Sequence, residues 1–171
     1  MSMLNRYKKN SQSMMELVKL IEESAEPKKT NLMNMVLKED PEFGARIQAR
    51  LFDYDKMKKL EEGLIAEIVS VNTSKILALA MFSEESEDFV ALVEKCLGNK
   101  FSEYREEKEN AQENPPNDGQ ILSARRKMVS EARKLETEGA IKLLDYDKID
   151  AMIEQGATPE ELEPGGRWQR R

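Results

Sequence analysis

The sequence predicts an all-α protein, and three observations support that class. Aromatic residues make up 6% of the 171-residue chain, too few for the strands of a β-sandwich, which need branched and aromatic side chains. Charged residues make up 35% and ten residues are methionine, a composition that favours helices. Apolar residues recur three and four positions apart in successive segments, which is the spacing of one helix face. A chain of this length can form one core or two small helical modules.

The first 50 residues predict three short helices. An apolar stripe with helical spacing marks the first of them, at Met14, Leu17, Val18 and Ile21. Pro27 can open the second helix, because its φ is already suited to a first helical turn.

The third helix has a complete start signal. Asp40 can accept free backbone N–H groups, Pro41 fits the first helical position, and Glu42 favours the positive end of the helix dipole. Three short helices with brief connections are typical of an armadillo-like unit, which normally stacks on a neighbour to bury its open face. We therefore predict an armadillo-like three-helix module over residues 1–50. Its packing face toward a second copy or a partner is predicted to consist of Leu32, Val36, Phe43 and Ile47.

Residues 51–59 predict a hinge, because the apolar face of the third helix ends in two aromatic residues separated by an acid. The hinge residues are Leu51, Phe52, Asp53 and Tyr54. We expect the two rings to fix the orientation of the modules on either side. Residues 143–149 nearly repeat residues 51–57, and chance or shared helix-capping chemistry is favoured over a shared docking site as the explanation.

Residues 60–145 predict a second helical domain. Its first helix carries the stripe Leu60, Leu64, Ile68 and Val71, and residues 72–74 supply a break with capping side chains. Residues 76–82 are apolar on all sides, which is typical of a helix at the centre of its domain.

The following helix can start at Ser83 or at Ser86, and it ends near Gly98. A more charged helix then carries Phe101 and Tyr104 on its apolar side. Residues 114–119 contain paired prolines and an Asp-Gly step, so they form a loop.

A long helix after this loop has a thin apolar stripe, and Gly139 suits its left-handed C-cap. The members of that stripe are Ile121, Met128, Ala132 and Leu135. Residues 140–144 are predicted to be extended, and residues 146–171 to form a short helix and a flexible tail. The tail contains a capping box at residues 158–161 and a basic group with Trp168 at residues 167–171.

Three segments in this order resemble the C-terminal half of FliG, the flagellar rotor protein. Asp40-Pro41-Glu42, followed by Leu-Phe-Asp-Tyr-Asp-Lys at residues 51–56, looks like the family's Asp-Pro-Glu helix start and Met-Phe-x-Phe-Glu-Asp hinge. Residues 71–80 look like its Val-Asp-Thr turn and Ala-Leu helix. Residues 125–139 look like its closing helix, which ends in Arg-Arg-Leu-Glu-x-x-Gly. The resemblance covers roughly residues 12–145, and it implies a torque-domain-like bundle after the hinge.

The resemblance also implies a contact face for the ion-driven stator. The corresponding charged ridge here consists of Glu103, Arg105, Glu106 and Glu107. From composition alone, a solvated helix face is the simpler interpretation of this ridge. The family's cations are mostly missing: their places fall on Ala80, on Asn99 or Lys100, and near Asn117. We therefore expect a differently charged stator partner, or none.

Composition makes several other functions improbable. A net charge of −6 disfavours a nucleic-acid surface, and no apolar run approaches the length that crosses a bilayer. One cysteine, Cys96, cannot form an intrachain disulfide, and the absence of histidine removes the commonest general base and metal ligand. Acids near the hinge lack the spacing of a calcium loop. We expect a cytoplasmic protein without catalytic residues, cofactor, bound metal or membrane insertion.

The resulting hypothesis is a FliG-like protein in or near the flagellar basal body. It would couple mechanically and electrostatically to the stator, to switch proteins or to full-length FliG, and it could self-associate. The chain has no room for the family's N-terminal and middle domains, so we do not expect it to replace a rotor subunit alone. The alternatives are a FliG-like adaptor or regulator without torque generation, and an acidic helical cation-sensing domain.

Overall fold

The computed structural model describes residues 2–157 and confirms the all-α class, since no strand occurs in that part of the chain. Single 3-10 turns lie at Met3–Arg6 and Gly98–Lys100. The α-helices, in chain order, are α1 (Ser11–Glu23), α2 (Lys28–Glu39), α3 (Pro41–Arg50), α4 (Tyr54–Met57), α5 (Glu62–Val71), α6 (Ser74–Met81), α7 (Glu87–Lys95), α8 (Phe101–Glu113), α9 (Asp118–Thr137) and α10 (Tyr146–Glu154). The predicted capping box at 158–161 and the basic group at 167–171 lie outside the described residues.

The described residues divide into two compact units. Unit 1 consists of residues 2–52 and 144–157, and unit 2 consists of Asp53–Leu143. The chain therefore leaves unit 1 within the predicted hinge and returns to it after α9. The sequence placed residues 146–171 in a separate segment, whereas α10 groups with the N-terminal helices and packs on α3.

The core of unit 1 is built by α1, α2 and α3 together with the N-terminal 3-10 turn. Its buried members are Leu4, Tyr7, Leu17, Val18, Ile21, Met33, Val36, Phe43 and Ile47. The second and third helices cross closely at Gly44, where an added Cβ would lie 2.8 Å from the Cα of Leu37. A larger residue at this position would push α2 and α3 apart.

The expected packing face of the N-terminal module needs a correction. Val36, Phe43 and Ile47 are buried in the core of unit 1, and Leu32 is partly buried against the same cluster. These side chains do not form an open apolar surface, because the N-terminal residues and α1 already cover them. Helical periodicity identifies an apolar face but does not reveal which segment of the same chain lies on it.

In unit 2, α6 is the central helix, as its apolar sequence predicts. It packs against both α8 and α9, and the side chains of Leu77 and Ala80 have no exposed surface. The predicted stripe of α9 also faces the interior, since Ile121, Met128 and Ala132 are buried.

The helix starts follow the capping residues. Asp40 accepts the N–H of Phe43 at 3.1 Å, Thr73 caps α6, and Asn117 forms a reciprocal capping box at the start of α9. Of the two serines considered for α7, Ser86 is the cap. Ser83 instead lies in the turn before it, with φ at +58°.

The expected extended segment at residues 140–144 is a loop without a strand partner. Gly139 has φ at +78°, as its predicted capping role requires, and the N–H of Ala140 bonds back to the carbonyl of Leu135. The N–H of Leu143 donates to the carboxylate of Glu136 at 2.7 Å. Side-chain and helix-end acceptors therefore satisfy backbone groups that a strand would have paired with another strand.

A buried carboxylate connects three parts of unit 2. The side chain of Glu84, in the loop between α6 and α7, is 3% exposed. It accepts the hydroxyl of Tyr54 from α4 at 2.6 Å, forms an ion pair with Lys58 at 2.5 Å, and lies 3.5 Å from the guanidinium of Arg125 in α9. Burial acts to raise the pKa of Glu84, but the hydrogen bonds from Lys58 and Tyr54 outweigh it, so the net shift is downward.

We expect Glu84→Gln to lower the free energy of unfolding by about 1–3 kcal/mol at neutral pH, because the partly buried Lys58 and Arg125 lose their counter-charge. A carboxylate with a lowered pKa in the folded state stabilises fully above its ordinary value of 4.5 and loses that contribution as the pH falls through the folded value. The substitution should therefore flatten the loss of stability as the pH falls below about 4.5. Urea unfolding followed by circular dichroism at a series of pH values measures both effects.

The matched control is Glu85→Gln, which changes the exposed neighbour and should leave the pH profile as it is. If the profiles of Glu84→Gln and the unchanged protein run parallel in acid, the acid sensitivity comes from other carboxylates.

Candidate functional site: the outer face of α8 and the linker at residues 51–54

The helix that carries the predicted charged ridge, α8, is held by a short apolar side. Tyr104 and Ala111 are buried on that side, and α8 packs against α6. Burial, with a smaller contribution from the nearby charge of Glu94, raises the pKa of Tyr104 to about 12. The tyrosine therefore stays neutral and serves as a packing residue rather than as an acid or base.

Three of the four predicted contact residues lie outside this apolar side of α8, whereas Glu107, three residues after Tyr104 and four before Ala111, lies beside it. Glu103, Arg105 and Glu106 are exposed, and Glu107 is half-buried. Glu103 accepts the hydroxyl of Ser74 at 3.3 Å, and Arg105 pairs loosely with Glu109 at 3.7 Å. Within residues 2–157, Glu106 and Glu107 form no ion pair, so their charges are not neutralised locally.

Lys100, one of the positions matched to a family cation, has a structural contact. Its ammonium group donates to the carbonyls of Val69, Ser70 and Asn72, at 3.2, 2.6 and 2.7 Å, around the C-terminal end of α5. A lysine at this place satisfies helix-end carbonyls and the negative end of the helix dipole. The ammonium group of Lys100 is therefore already occupied by contacts within the chain.

The other positions matched to family cations carry no charge. Ala80 is buried, and Asn117 caps α9. Arg125 from the same helix turns inward, donating from Nε to the carbonyl of Ala80 at 3.0 Å, and its guanidinium lies 4.6 Å from the ring centre of Tyr54. Sequence reasoning missed the structural roles of Lys100 and Arg125, because nothing in the sequence shows which helix ends they reach.

The four hinge residues divide between the two units. Leu51 caps the end of α3, and the buried Phe52 donates its N–H to the carboxylate of Glu22 at 2.7 Å inside unit 1. Asp53 caps α4, while Tyr54 is held in unit 2 by Glu84 and by an edge contact with Phe89 at 5.8 Å. Each aromatic ring therefore belongs to the unit on its own side of the crossing point.

The near copy at residues 143–149 lies where the chain returns to unit 1. Asp53 and Asp145 cap α4 and α10 in the same way, by accepting the N–H three residues ahead. Each crossing is also preceded by a backbone N–H bonded to a glutamate, from Phe52 to Glu22 and from Leu143 to Glu136. The repeated sequence thus corresponds to repeated capping chemistry at two crossing points.

A groove that the sequence did not indicate lies between α6, α7 and α8. Its volume is about 440 Å³, and Glu87, Glu94 and Lys108 line it together with alanine side chains. The ammonium of Lys108 pairs with Glu94 at 3.2 Å, so part of this charge is already neutralised.

Cys96 and the acidic residues give no separate reactive centre in the described part of the chain. Cys96 is half-buried, and burial raises the pKa of its thiol, with a further contribution from the charge of Glu62. Among residues 2–157, no group of three or more acidic or cysteine side chains could hold a metal ion. None of the helices described here is long and apolar enough to span a membrane.

Comparison with known proteins gives one finding. Residues 34–143 match the family model described as the FliG C-terminal domain. The matched range takes in α3, the hinge residues and the whole of α5 to α9. No curated protein matches the chain.

If Lys100 is a structural cap, Lys100→Met should destabilise the protein by about 1.5–3 kcal/mol, because three carbonyls lose a charged donor while the apolar stem is kept. Thermal and urea unfolding measure the change. Lys95→Met is the control, since Lys95 is exposed and pairs only with Glu62. Equal stability of the Lys100 and Lys95 variants would mean that Lys100 is available for binding.

We propose that the anchored rings of Phe52 and Tyr54 limit the motion of the chain at the crossing point. Replacing both with glycine should broaden the distances between spin labels at residues 38 and 109, one in each unit, and circular dichroism of the same samples checks that the helices remain, because Phe52 is buried. The labels are attached to cysteines in a Cys96→Ser background. Asp55→Gly is the control, because it alters the exposed backbone beside the hinge without removing a ring. Distributions that stay as narrow as in the control would contradict the proposal.

Proposed function

Because the chain belongs to the FliG C-terminal domain family, we propose that it acts at the flagellar motor switch by contacting a motor protein through the outer face of α8. The family gives the chain a role related to the flagellar motor switch, and it is a family of structural motor components rather than enzymes. The partner and the mode of coupling are the proposal. We propose that the contact is electrostatic and that the partner surface is cationic.

The presentation of Glu106 and Glu107 carries this proposal. Both acids lie on a helix of 13 residues that Tyr104 and Ala111 fix to unit 2, Glu106 on the exposed face and Glu107 half-buried at its edge. Neither acid forms an ion pair within the described residues, whereas the neighbouring Arg105 and Lys108 each have an acidic partner. Surface charges of one sign contribute little to folding, but they attract an oppositely charged surface before contact.

The structural use of Lys100 and Arg125 leaves acids in excess on this face, although Arg105 and Lys108 also lie on it. Lys100 is bonded to three carbonyls, and Arg125 is bonded to the end of α6 and to Glu84. A stator contact in the FliG family uses charges of both signs, so a face dominated by acids fits a partner loop rich in lysine or arginine. The same observation favours a second function, an adaptor that binds a motor component without generating torque.

We further propose that force or position at α8 reaches the rest of the chain through the linker at residues 51–54. The rings of Phe52 and Tyr54 are held by contacts on the two sides of the crossing point. A displacement at one ring is therefore separated from the other ring by a single residue, Asp53. The cation-sensing alternative receives no support from the described acids, which do not converge on a metal site.

We expect Glu106→Lys combined with Glu107→Lys to leave unfolding free energy within about 1 kcal/mol of the unchanged protein. Motility of the source organism should nevertheless be impaired, because four units of charge change on a surface that attracts a cationic partner. Charge reversals on the stator loop should restore swimming if the contact is direct. Swimming speed and protein abundance in the same strains measure the effect.

The control is Glu85→Lys combined with Glu138→Lys, which makes the same charge change at two exposed positions outside α8. A strain with folded Glu106→Lys/Glu107→Lys protein that swims like the control rules out the torque role. If that protein also loses binding to a purified motor component, the adaptor function remains.

A further inference from the structure

The seam between α3 and α10 in unit 1 is unlike the apolar contacts elsewhere in that unit. The last described helix, α10, buries Ile149, Met152 and Ile153, and packs on α3. Beside these three side chains, the seam is closed by charges of opposite sign. The cations of these pairs lie on α3, and the acids lie on α10.

Arginines on α3 face acids on α10. The guanidinium of Arg50, which is 4% exposed, pairs with Asp150 at 2.7 Å and lies 5.5 Å from the ring centre of Tyr146. One turn away, Arg46 pairs with Glu154 at 3.4 Å. The face of α3 therefore recognises a helix that presents apolar residues at positions i, i+3 and i+4, with acids at i+1 and i+5.

The charge network on this seam is incompletely satisfied. Nε of Arg46 and Oδ1 of Asp150 are buried there without a hydrogen-bond partner. A buried polar atom without a partner reduces the net stabilisation of a contact, and release of α10 would return both atoms to solvent. The seam is thus specific in its pattern of charge, but it holds α10 less firmly than a fully paired network would.

The helix α10 carries its own end caps. Asp145 accepts the N–H of Lys148 at 3.1 Å at the start, and Gly156, with φ at +89°, allows the N–H of Ala157 to bond to the carbonyl of Met152 at the end. These contacts stay within α10 and its flanking residues. The helix can therefore separate from α3 without unfolding. It follows the segment by which the chain returns from unit 2 to unit 1.

We propose that the face of α3 marked by Arg46 and Arg50 is an interaction surface for the α10 helix of a second copy of this chain. A second copy offers the same apolar triplet and the same two acids, so an exchanged α10 makes every contact that the helix makes within one chain. Such exchange of an identical element is a low-cost route to a dimer. This surface replaces the one expected from Leu32, Val36, Phe43 and Ile47, which the core of unit 1 occupies. The inference does not depend on the proposed motor role.

Complementary charge reversal tests the proposal in the full chain. One variant carries Arg46→Glu and Arg50→Glu, and the other carries Asp150→Lys and Glu154→Lys. Each variant alone places like charges on both sides of its own seam. When the two are mixed, both seams join opposite charges only if the copies exchange α10. The expected result is at least a tenfold excess of dimer, with twice the monomer mass of 19.7 kDa, over either variant alone.

The chain carrying all four substitutions is the matched control, because it restores opposite charges within one molecule. It should be folded and should form no more dimer than the unchanged protein at the same concentration. The two variants are mixed in urea and refolded together, so that neither has to fold alone. A folded control accompanied by a mixture without excess dimer overturns the proposal.

If the four-substitution chain does not fold, cross-linking decides. Copies with Arg46→Cys are mixed with copies carrying Glu154→Cys, both in a Cys96→Ser background, and treated with a short bismaleimide. Exchange predicts a heterodimer whose linked peptides join residues 46 and 154. Glu109→Cys in place of Glu154→Cys is the control, and a heterodimer yield equal to that control overturns the proposal.

Discussion

Each α-helix leaves several backbone N–H groups and carbonyls without partners inside the helix, so a chain of short helices has many such groups for its length. In this protein, most helices are 13 residues or shorter, and charged side chains satisfy many of their ends. Lys100 binds the end of α5, Arg125 binds the end of α6, and Asp40, Asp53 and Asp145 cap the starts of three helices. The distribution of charge on the surface follows from this requirement.

Glu106 and Glu107 on α8 are among the charged side chains that form no ion pair within residues 2–157. A composition with a net charge of −6 predicts an acidic surface somewhere, but it does not say where. The location depends on which cations are used inside unit 2, and the Glu84 cluster uses two of them, Lys58 and Arg125. Folding and the proposed contact at α8 thus both depend on how the charged residues of unit 2 are distributed. A substitution of an internal cation would change the fold first and the outer face of α8 only indirectly.

At the α10 seam and the crossing points, the sequence predicted the local capping chemistry but not the tertiary contacts of the same residues. For the sequence repeat at residues 51–57 and 143–149, chance or shared capping was favoured over a shared docking site, and both aspartates do cap helices. The sequence did not predict that the two copies lie where the chain passes between the units, because neither segment contains information on the tertiary position of the other. The same limit explains the packing face: Val36, Phe43 and Ile47 were recognised as apolar, but their cover by α1 and the N-terminal turn is a long-range contact.

The sequence by itself determined the helical class, the capped starts at Asp40 and Thr73, the central place of α6 and the left-handed end at Gly139, because each depends on residues a few positions apart. The motif order also identified the family that the match over residues 34–143 shows. The tertiary structure decided what depends on distant residues: the burial of Glu84, the capture of Lys100 and Arg125 by helix ends, the loop at residues 140–144 and the packing of α10 on α3. The bonds of the loop reach back only to Leu135 and Glu136, but in the other cases the partners are separated by tens of residues, and only folding brings their charges and carbonyls within hydrogen-bonding distance.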